Sequence, residues 1–149
     1  MSDSATNMTI RMAGIFDADE IYEIDGIALR DDDRRSHLWN ELRDGFVWIA
    51  EREETALGYA VANLHFFGNP FIELLVVHCD HRRQGVAQAL IATIEAWVGS
   101  DKLFTSTNAS NLPMQRLCER LGFVRSGQID NLDEGDPELI YFKRLKPRP

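Results

Sequence analysis

The chain has 149 residues, 44% hydrophobic and 27% charged, enough for one globular domain with a single core and too few for a second. Lys and Arg total 16 against 24 Asp and Glu, a formal net charge of −8. Such a surface repels phosphate backbones and anionic lipids, which argues against nucleic acid or membrane as partner and favours cationic small molecules or basic peptides.

Residues 9–12 read as a first strand. From Asp17, apolar residues at Ile21, Ile24, Ala28 and Leu29 recur at helical spacing behind an acidic first turn. The run Asp31, Asp32, Asp33 interrupts that helix, and a second short one carries Leu38, Trp39 and Leu42 before closing near Gly45. Residues 46–50 and 57–66 read as a hairpin joined by the polar turn 51–55. Residues 71–79 are nearly all apolar or β-branched, interrupted by Glu73, and predict a strand buried on both faces. Residues 84–98 predict a helix, its stripe formed by Val86, Ala87, Leu90, Ile91, Ile94, Trp97 and Val98 and stopped by Gly99. Residues 103–107 are a short strand. Pro113, then Met114, Leu117, Cys118 and Leu121, then Gly122, predict another helix. Residues 123–129 and 139–145 close the chain as strands around an acidic loop. Strands flanked by helices, with one strand–helix–strand unit, give an α/β or α+β sandwich. No repeat or linker divides it, so one domain over residues 1–149 is expected, with a core of about 8–146 and frayed ends.

Two cysteines, Cys79 and Cys118, make no disulfide scaffold and read as free thiols. No apolar stretch is long enough to span a bilayer, and the polar residues 1–7 lack a signal-peptide pattern. A cytoplasmic protein is expected.

Chemistry concentrates where the strand 71–79 passes through His81-Arg82-Arg83-Gln84-Gly85-Val86-Ala87 into the long helix. A glycine at a helix entry lets backbone approach a ligand. The free amides and positive end of the helix dipole then suit an anion such as a pyrophosphate, and Arg82 and Arg83 add charge. Neither G-x-G-x-x-G nor G-x-x-x-x-G-K-[ST] is present, which disfavours a nucleotide-binding domain built on the same helix start.

Arg82-x-x-Gly85-x-Ala87 resembles the [QR]-x-x-G-x-[GA] signature of the GCN5-related N-acetyltransferase superfamily (GNAT), small enzymes that move acetyl from acetyl-CoA to an amine. The preceding run Ile72-Glu73-Leu74-Leu75-Val76-Val77 looks like the fourth strand of that superfamily. Asn111, Met114, Leu117, Glu119, Leu121, Gly122 and Phe123 resemble its later N-x-x-A-x-x-L-Y-E-K-x-G-F block. The blocks stand in the right order with a strand between them. The resemblance spans about residues 10–145 and is closely patterned over 71–127. It implies a mixed, mostly antiparallel sheet of six to seven strands, flanked by about four helices, with the fourth and fifth strands splayed.

It also implies roles. Backbone amides of Arg83, Gln84, Gly85, Val86 and Ala87 would hold the coenzyme pyrophosphate, flanked by Arg82. Backbone groups of Leu75 and Val77 would pair with the pantetheine arm, and the Val77 amide would polarise the acetyl carbonyl. Asn111 would touch the coenzyme from the other side. Where the family has Tyr, thought to protonate the departing thiolate, this chain has Cys118. A thiol can donate a proton, but Cys118 also fits the apolar stripe of its helix, and the core reading is preferred. Water and Tyr141 are the alternative donors.

Glu73 is the carboxylate inside an otherwise apolar strand and is expected to act as general base, because an alkylammonium acceptor is almost wholly protonated at neutral pH; the plainer alternative is a strand-end Glu paired with a nearby Arg. His78, Cys79, Asp80 and His81 crowd potential ligands together, but strand positions alternate in direction and zinc spacing is absent, so no metal is expected. The acids Asp31–Asp33 and Asp130, Asp133, Glu134, Asp136 and Glu138 read first as solvated surface, and within the resemblance as walls of a cleft for a cationic amine. Trp39, Trp48, Phe66, Phe67 and Tyr141 could line that cleft, though core packing is their commoner use. The expected function is acetyl-CoA-dependent N-acetylation of a primary amine on a small molecule or peptide, by direct attack in a ternary complex. A homodimer is possible. The rival is a non-catalytic acyl-CoA-binding or regulatory domain, favoured by the missing Tyr.

Overall fold

In the computed structural model, which describes residues 7–145, the chain runs through β1 (Met8–Met12), α1 (Ala18–Ile24), α2 (Asp32–Asp44), β2 (Val47–Arg52), β3 (Thr55–Phe66), β4 (Asn69–Val77), α3 (Val86–Trp97), β5 (Lys102–Asn108), α4 (Leu112–Arg120), β6 (Val124–Ile129) and β7 (Glu138–Arg144). Short 3-10 turns lie at Ile15–Asp17, Ala28–Arg30 and Cys79–His81. The ends expected to fray, residues 1–7 and 147–149, lie outside the described residues except for Asn7. The strands hydrogen-bond in the order β1-β2-β3-β4-β5-β7-β6. The pairings β1–β2, β2–β3, β5–β7 and β6–β7 are antiparallel, and β4–β5 is parallel. The tight hairpins β2–β3 and β3–β4 turn on Glu53-Glu54 (φ 51° and 66°) and Phe67-Gly68 (φ 53° and 76°). Left-handed backbone at both central residues is the type I′ pattern, whose twist matches that of the flanking strands. The first turn is therefore two residues long, shorter than the polar segment 51–55.

The chain divides into two compact units. The first holds the residues up to Ala62 and Leu74–Ile94. Its core gathers Ile21, Ile24 and Ala28 with Leu38 and Leu42 of α2 and with Val47, Ile49, Tyr59 and Val61 of the strands; Leu74 and Val76 pack against it. Although Ala28 still joins the core, the helix expected to continue through Leu29 ends at Ile24. There the buried Asp25 carboxylate accepts the Ile27 amide (3.0 Å), an Asx turn that competes with helix. The same carboxylate accepts the Tyr59 hydroxyl (2.8 Å) and lies 3.0 Å from Arg34 Nε. Burial, reinforced by the Asp25 charge, pushes the Tyr59 phenol well up, so it remains the donor. The acidic run opens α2. Asp31 accepts the amides of Asp33 (2.9 Å) and Arg34 (3.2 Å) as N-cap, and Asp32 and Asp33 sit in the first turn where the helix dipole favours negative charge. Trp39 is exposed and lies off the apolar stripe.

The second unit holds Asn63–Glu73 and the residues from Glu95 onward. Along β5, Leu103, Thr105 and Thr107 are buried in alternation with half-buried Phe104 and Ser106. Phe104 faces Phe142 of β7 in the ladder. Their rings continue a row that starts at Phe71 and Phe66, with successive centroids 4.9, 5.1 and 5.3 Å apart. The parallel β4–β5 ladder consists of two pairs, Phe71–Phe104 and Ile72–Thr105, closed by a 2.9 Å bond from Thr105 Oγ1 to the Ile72 carbonyl. The ladder stops there, which is the splaying of the fourth and fifth strands. The expectation that β4 is buried on both faces is corrected accordingly: only Pro70 and Ile72 are buried, and Glu73 to Val77 are half-buried.

Arg11 on β1 clasps Asp17 (2.8 Å) and Glu51 (2.7 Å), and Asp17 also accepts the Gly14 amide (2.9 Å). The guanidinium bond holds the Asp17 carboxyl below its ordinary range. Asp17→Asn should therefore cost about 1 kcal/mol of stability at neutral pH. A depressed folded pKa stabilises fully above the unfolded value of about 3.9 and loses that stabilisation as pH falls below it. The gap between parent and variant unfolding curves should narrow as pH falls from the unfolded value of about 3.9 through the lowered folded one. A gap unchanged in acid would remove the ion pair as its source.

Candidate functional site

At the end of β4, the His78 amide donates to the Leu57 carbonyl (2.8 Å), so pairing with β3 continues past the last strand residue. The chain then turns through Cys79–His81, closed by the His81 amide on the His78 carbonyl (2.9 Å). Arg82 is extended, Arg83 (φ 64°) and Gly85 (φ 80°) are left-handed, and α3 starts at Val86. The sequence pattern places that start at Gln84. The two left-handed residues exclude helix there, and the first α3 bond of this turn is Ala89 N–H to Gly85 C=O (3.0 Å). A Cβ on Gly85 would meet nothing within 4 Å. The backbone thus borders open space where a ligand's phosphate groups can approach it. No acidic side chain occupies the first turn of α3, while Arg82 and Arg83 are exposed beside it. Such a helix start fits an anionic group.

Two residues that sequence reasoning missed hold this arrangement. Gly58 on β3 is buried, and a Cβ there would lie 2.8 Å from the Val76 carbonyl oxygen and 3.0 Å from Val86 Cγ1. Its bare backbone lets the end of β4 and the first residue of α3 close onto β3. An isolated glycine inside a strand pattern was the available signal. Arg52, the last residue of β2, donates from Nη1 to Gln84 Oε1 (3.0 Å).

Of the two reasons for expecting no metal at His78, Cys79, Asp80 and His81, the absent zinc spacing is untouched, but the alternation of strand side chains does not hold: the 3-10 turn brings the ligand atoms of His78, Cys79 and Asp80 within 4.8 Å of one another. His78 Nδ1, however, already accepts the Asp80 amide (3.0 Å), so that lone pair is engaged in the turn.

In the second unit, half-buried Glu73 accepts 2.9 Å from Nδ2 of Asn63, which is fully buried and whose Oδ1 takes the His65 amide (3.1 Å). Asn63 is a third residue the sequence did not flag. Leu75 and Val77 lie on β4 beyond its ladder with β5. Asn111 caps α4 through Oδ1 on the Met114 amide (3.2 Å) and is otherwise exposed. Cys118 is fully buried, and burial, with the charge of Glu119, pushes its thiol up to about 11. Tyr141 is also buried, its phenol raised first by burial. The acids before and at the start of β7 bond mostly to β5 and to the residues that precede α4. Asp133 accepts Asn108 Nδ2 (2.9 Å), Asp136 takes the amide (2.9 Å) and hydroxyl (2.6 Å) of Ser110, Glu138 takes Ser106 Oγ (2.6 Å), and Asp130 takes Gln128 Nε2 (2.6 Å). Of the aromatics, Trp48 is buried in the core and Phe67 is 90% exposed on its turn.

The model of the acetyltransferase (GNAT) family matches residues 13–123. This chain belongs to that family. A GNAT-family acetyltransferase from Bacillus cereus ATCC 10987 superposes with a TM-score of 0.86 at 33% identity, over 94% of this chain and 99% of that one. The ribosomal-protein-S18-alanine N-acetyltransferase of Escherichia coli (TM-score 0.82, 17% identity, 95% and 96% covered) shares the fold. So does yncA from Salmonella typhimurium, whose structure holds its cofactor acetyl-CoA (TM-score 0.73, 22% identity, 95% and 96% covered). Human N-acetyltransferase 8 is 29% identical over 100 residues, a match covering 58% of this chain and 41% of that protein. Among the described residues, no helix of this GNAT chain is long and apolar enough to cross a membrane.

Because Gly58 faces backbone, Gly58→Ala has little room to relax. It should cost about 1–3 kcal/mol, read from denaturant midpoints. An alanine variant as stable as the parent would show that the β4 end is not pinned there.

Proposed function

We propose that the chain is a single-domain, cytoplasmic, acetyl-CoA-dependent N-acetyltransferase that acetylates a primary amine of a small molecule or peptide while both substrates are bound. The observation that carries this reading, in a chain of the GNAT family, is the loop before α3. Its left-handed Arg83 and Gly85 and the open space at Gly85 fit a pyrophosphate against the amides of Arg83, Gln84, Gly85, Val86 and Ala87, with Arg82 flanking. Leu75 and Val77 offer backbone groups to the pantetheine arm. The net charge of −8 supports a cationic acceptor; the loop acids support it less, since their bonds are internal.

Acetyl-CoA supplies a thioester, with a carbonyl carbon open to attack and a thiolate that leaves. Glu73 takes the proton from the acceptor ammonium, directly or through water, and Asn63 holds its Oε2 in place. The Val77 amide donates toward the carbonyl oxygen as negative charge develops there. Cys118, buried and protonated at neutral pH, serves as core; once the nitrogen has bonded to the carbonyl carbon and the C–S bond breaks, the nitrogen gives its second proton to solvent and the departing thiolate takes one from solvent. The burial of Cys118 is also what favours the second reading, a domain that binds acyl-CoA without turnover.

Thiol release from acetyl-CoA, measured over a panel of polyamines, aminoglycosides, amino acids and basic peptides, separates the two readings. With a responsive amine, Glu73→Gln should retain coenzyme binding and lose on the order of 10²–10⁴ in turnover, partly rescued at higher pH where more amine arrives deprotonated. Turnover at the parent rate near neutrality would remove Glu73 as base. Cys118→Ala should lower stability by about 1–2 kcal/mol and leave kcat within about twofold. A large fall in kcat at preserved stability would make Cys118 the proton donor.

A further inference from the structure

We propose that Arg52 is the positioning residue of the coenzyme loop, acting through Gln84 and not by touching the coenzyme; the proposal rests on the coenzyme reading above. The loop is bounded by the His81–His78 bond on one side and the Ala89–Gly85 bond on the other. Between these limits, two residues hold left-handed backbone, and one of them, Arg83, carries a side chain. Backbone of this kind persists only where its surroundings over-determine it. Gln84 sits between the two left-handed residues, so a restraint on its side chain restrains both neighbours. Arg52 supplies that restraint through a 3.0 Å bond to Gln84 Oε1 that closes a separation of 32 residues.

Arg52 is suited to the task by its own placement. Its backbone is fixed in two ladders, opposite Met8 of β1 and Thr55 of β3, immediately before the type I′ turn at Glu53-Glu54. The guanidinium therefore extends from a rigid strand end, and its bond to the amide oxygen is charge-assisted. With both side chains half-buried, the bond is better shielded from water than one on an open surface. The loop amides are then pre-set for the pyrophosphate, and ordering them on binding costs less.

The test is calorimetric binding of acetyl-CoA, coenzyme A and dephospho-coenzyme A to the parent, Arg52→Ala, Arg52→Lys, Gln84→Ala and the double variant, with melting curves for each. Arg52→Ala and Gln84→Ala should each weaken binding roughly tenfold to a hundredfold, the range for a hydrogen bond to a charged group. The double variant should be no worse than either single one, Arg52→Lys should recover part of the loss, and the loss should be equal for coenzyme A and its dephospho form. Additive losses would overturn the proposal, because Arg52 would then act independently of Gln84. So would a loss that disappears with dephospho-coenzyme A, which would place Arg52 on the 3′-phosphate itself. Should Arg52→Ala fail to fold, Gln84→Ala decides alone, and unchanged affinity overturns the idea. A parent protein that binds none of the three ligands would overturn the coenzyme reading and this proposal together.

Discussion

The Val76 carbonyl and the Val86 side chain come so close to Gly58 that any side chain there would collide with them. Much of the first unit's geometry depends on that one contact. It brings the last residues of β4 onto β3, where the Leu57–His78 bond continues the pairing, and it seats the first residue of α3 against the strand. The segment between these two fixed points has few conformations left. It turns through Cys79–His81 and then requires left-handed backbone at Arg83 and Gly85 to meet the helix.

Left-handed backbone on residues other than glycine is confined, among the described residues, to Glu53, Glu54, Phe67 and Arg83. Three of these lie in type I′ turns, where strand twist on either side enforces the geometry. Arg83 has no flanking ladder; the residue after it, Gln84, is held by Arg52.

Charge is treated differently in the two units. In the first, the buried Asp25 carboxylate is neutralised by Arg34 and bonded by Tyr59, a network that fixes where α1 ends and how the next turn begins. Removing one partner would leave a buried charge uncompensated, which makes such networks costly to alter. In the second, Asp133, Asp136 and Glu138 tie the segment before β7 to β5 and to the residues that precede α4. A surface that reads as an acidic patch in composition is, in large part, a set of hydrogen-bond acceptors already in use.

Periodicity, with turn and capping residues, located the strands, α3 and α4 to within about two residues, because burial of one face repeats at 2.0 or 3.6 positions and leaves its mark on the chain; α1 ends before Leu29, and the acidic run opens α2. The segment between β4 and α3 was legible for the same local reason: glycine and arginine at a helix entry announce backbone exposure and positive charge. Features that depend on distant residues were not legible. Asp25 ends α1 with a local turn, but that its carboxylate is buried against Arg34 and Tyr59, the latter 34 positions later, is decided by the fold. Asn63 and Arg52 look like ordinary polar residues until the fold brings Glu73 and Gln84 to them. The half-buried state of β4 follows from a ladder only two pairs long, and strand pairing length is not written in either strand. Sequence by itself determined which residues prefer the interior and where the backbone turns. The tertiary structure decided which polar atoms meet, since a hydrogen bond is satisfied by proximity in space, and proximity across 30 residues is a property of the folded chain.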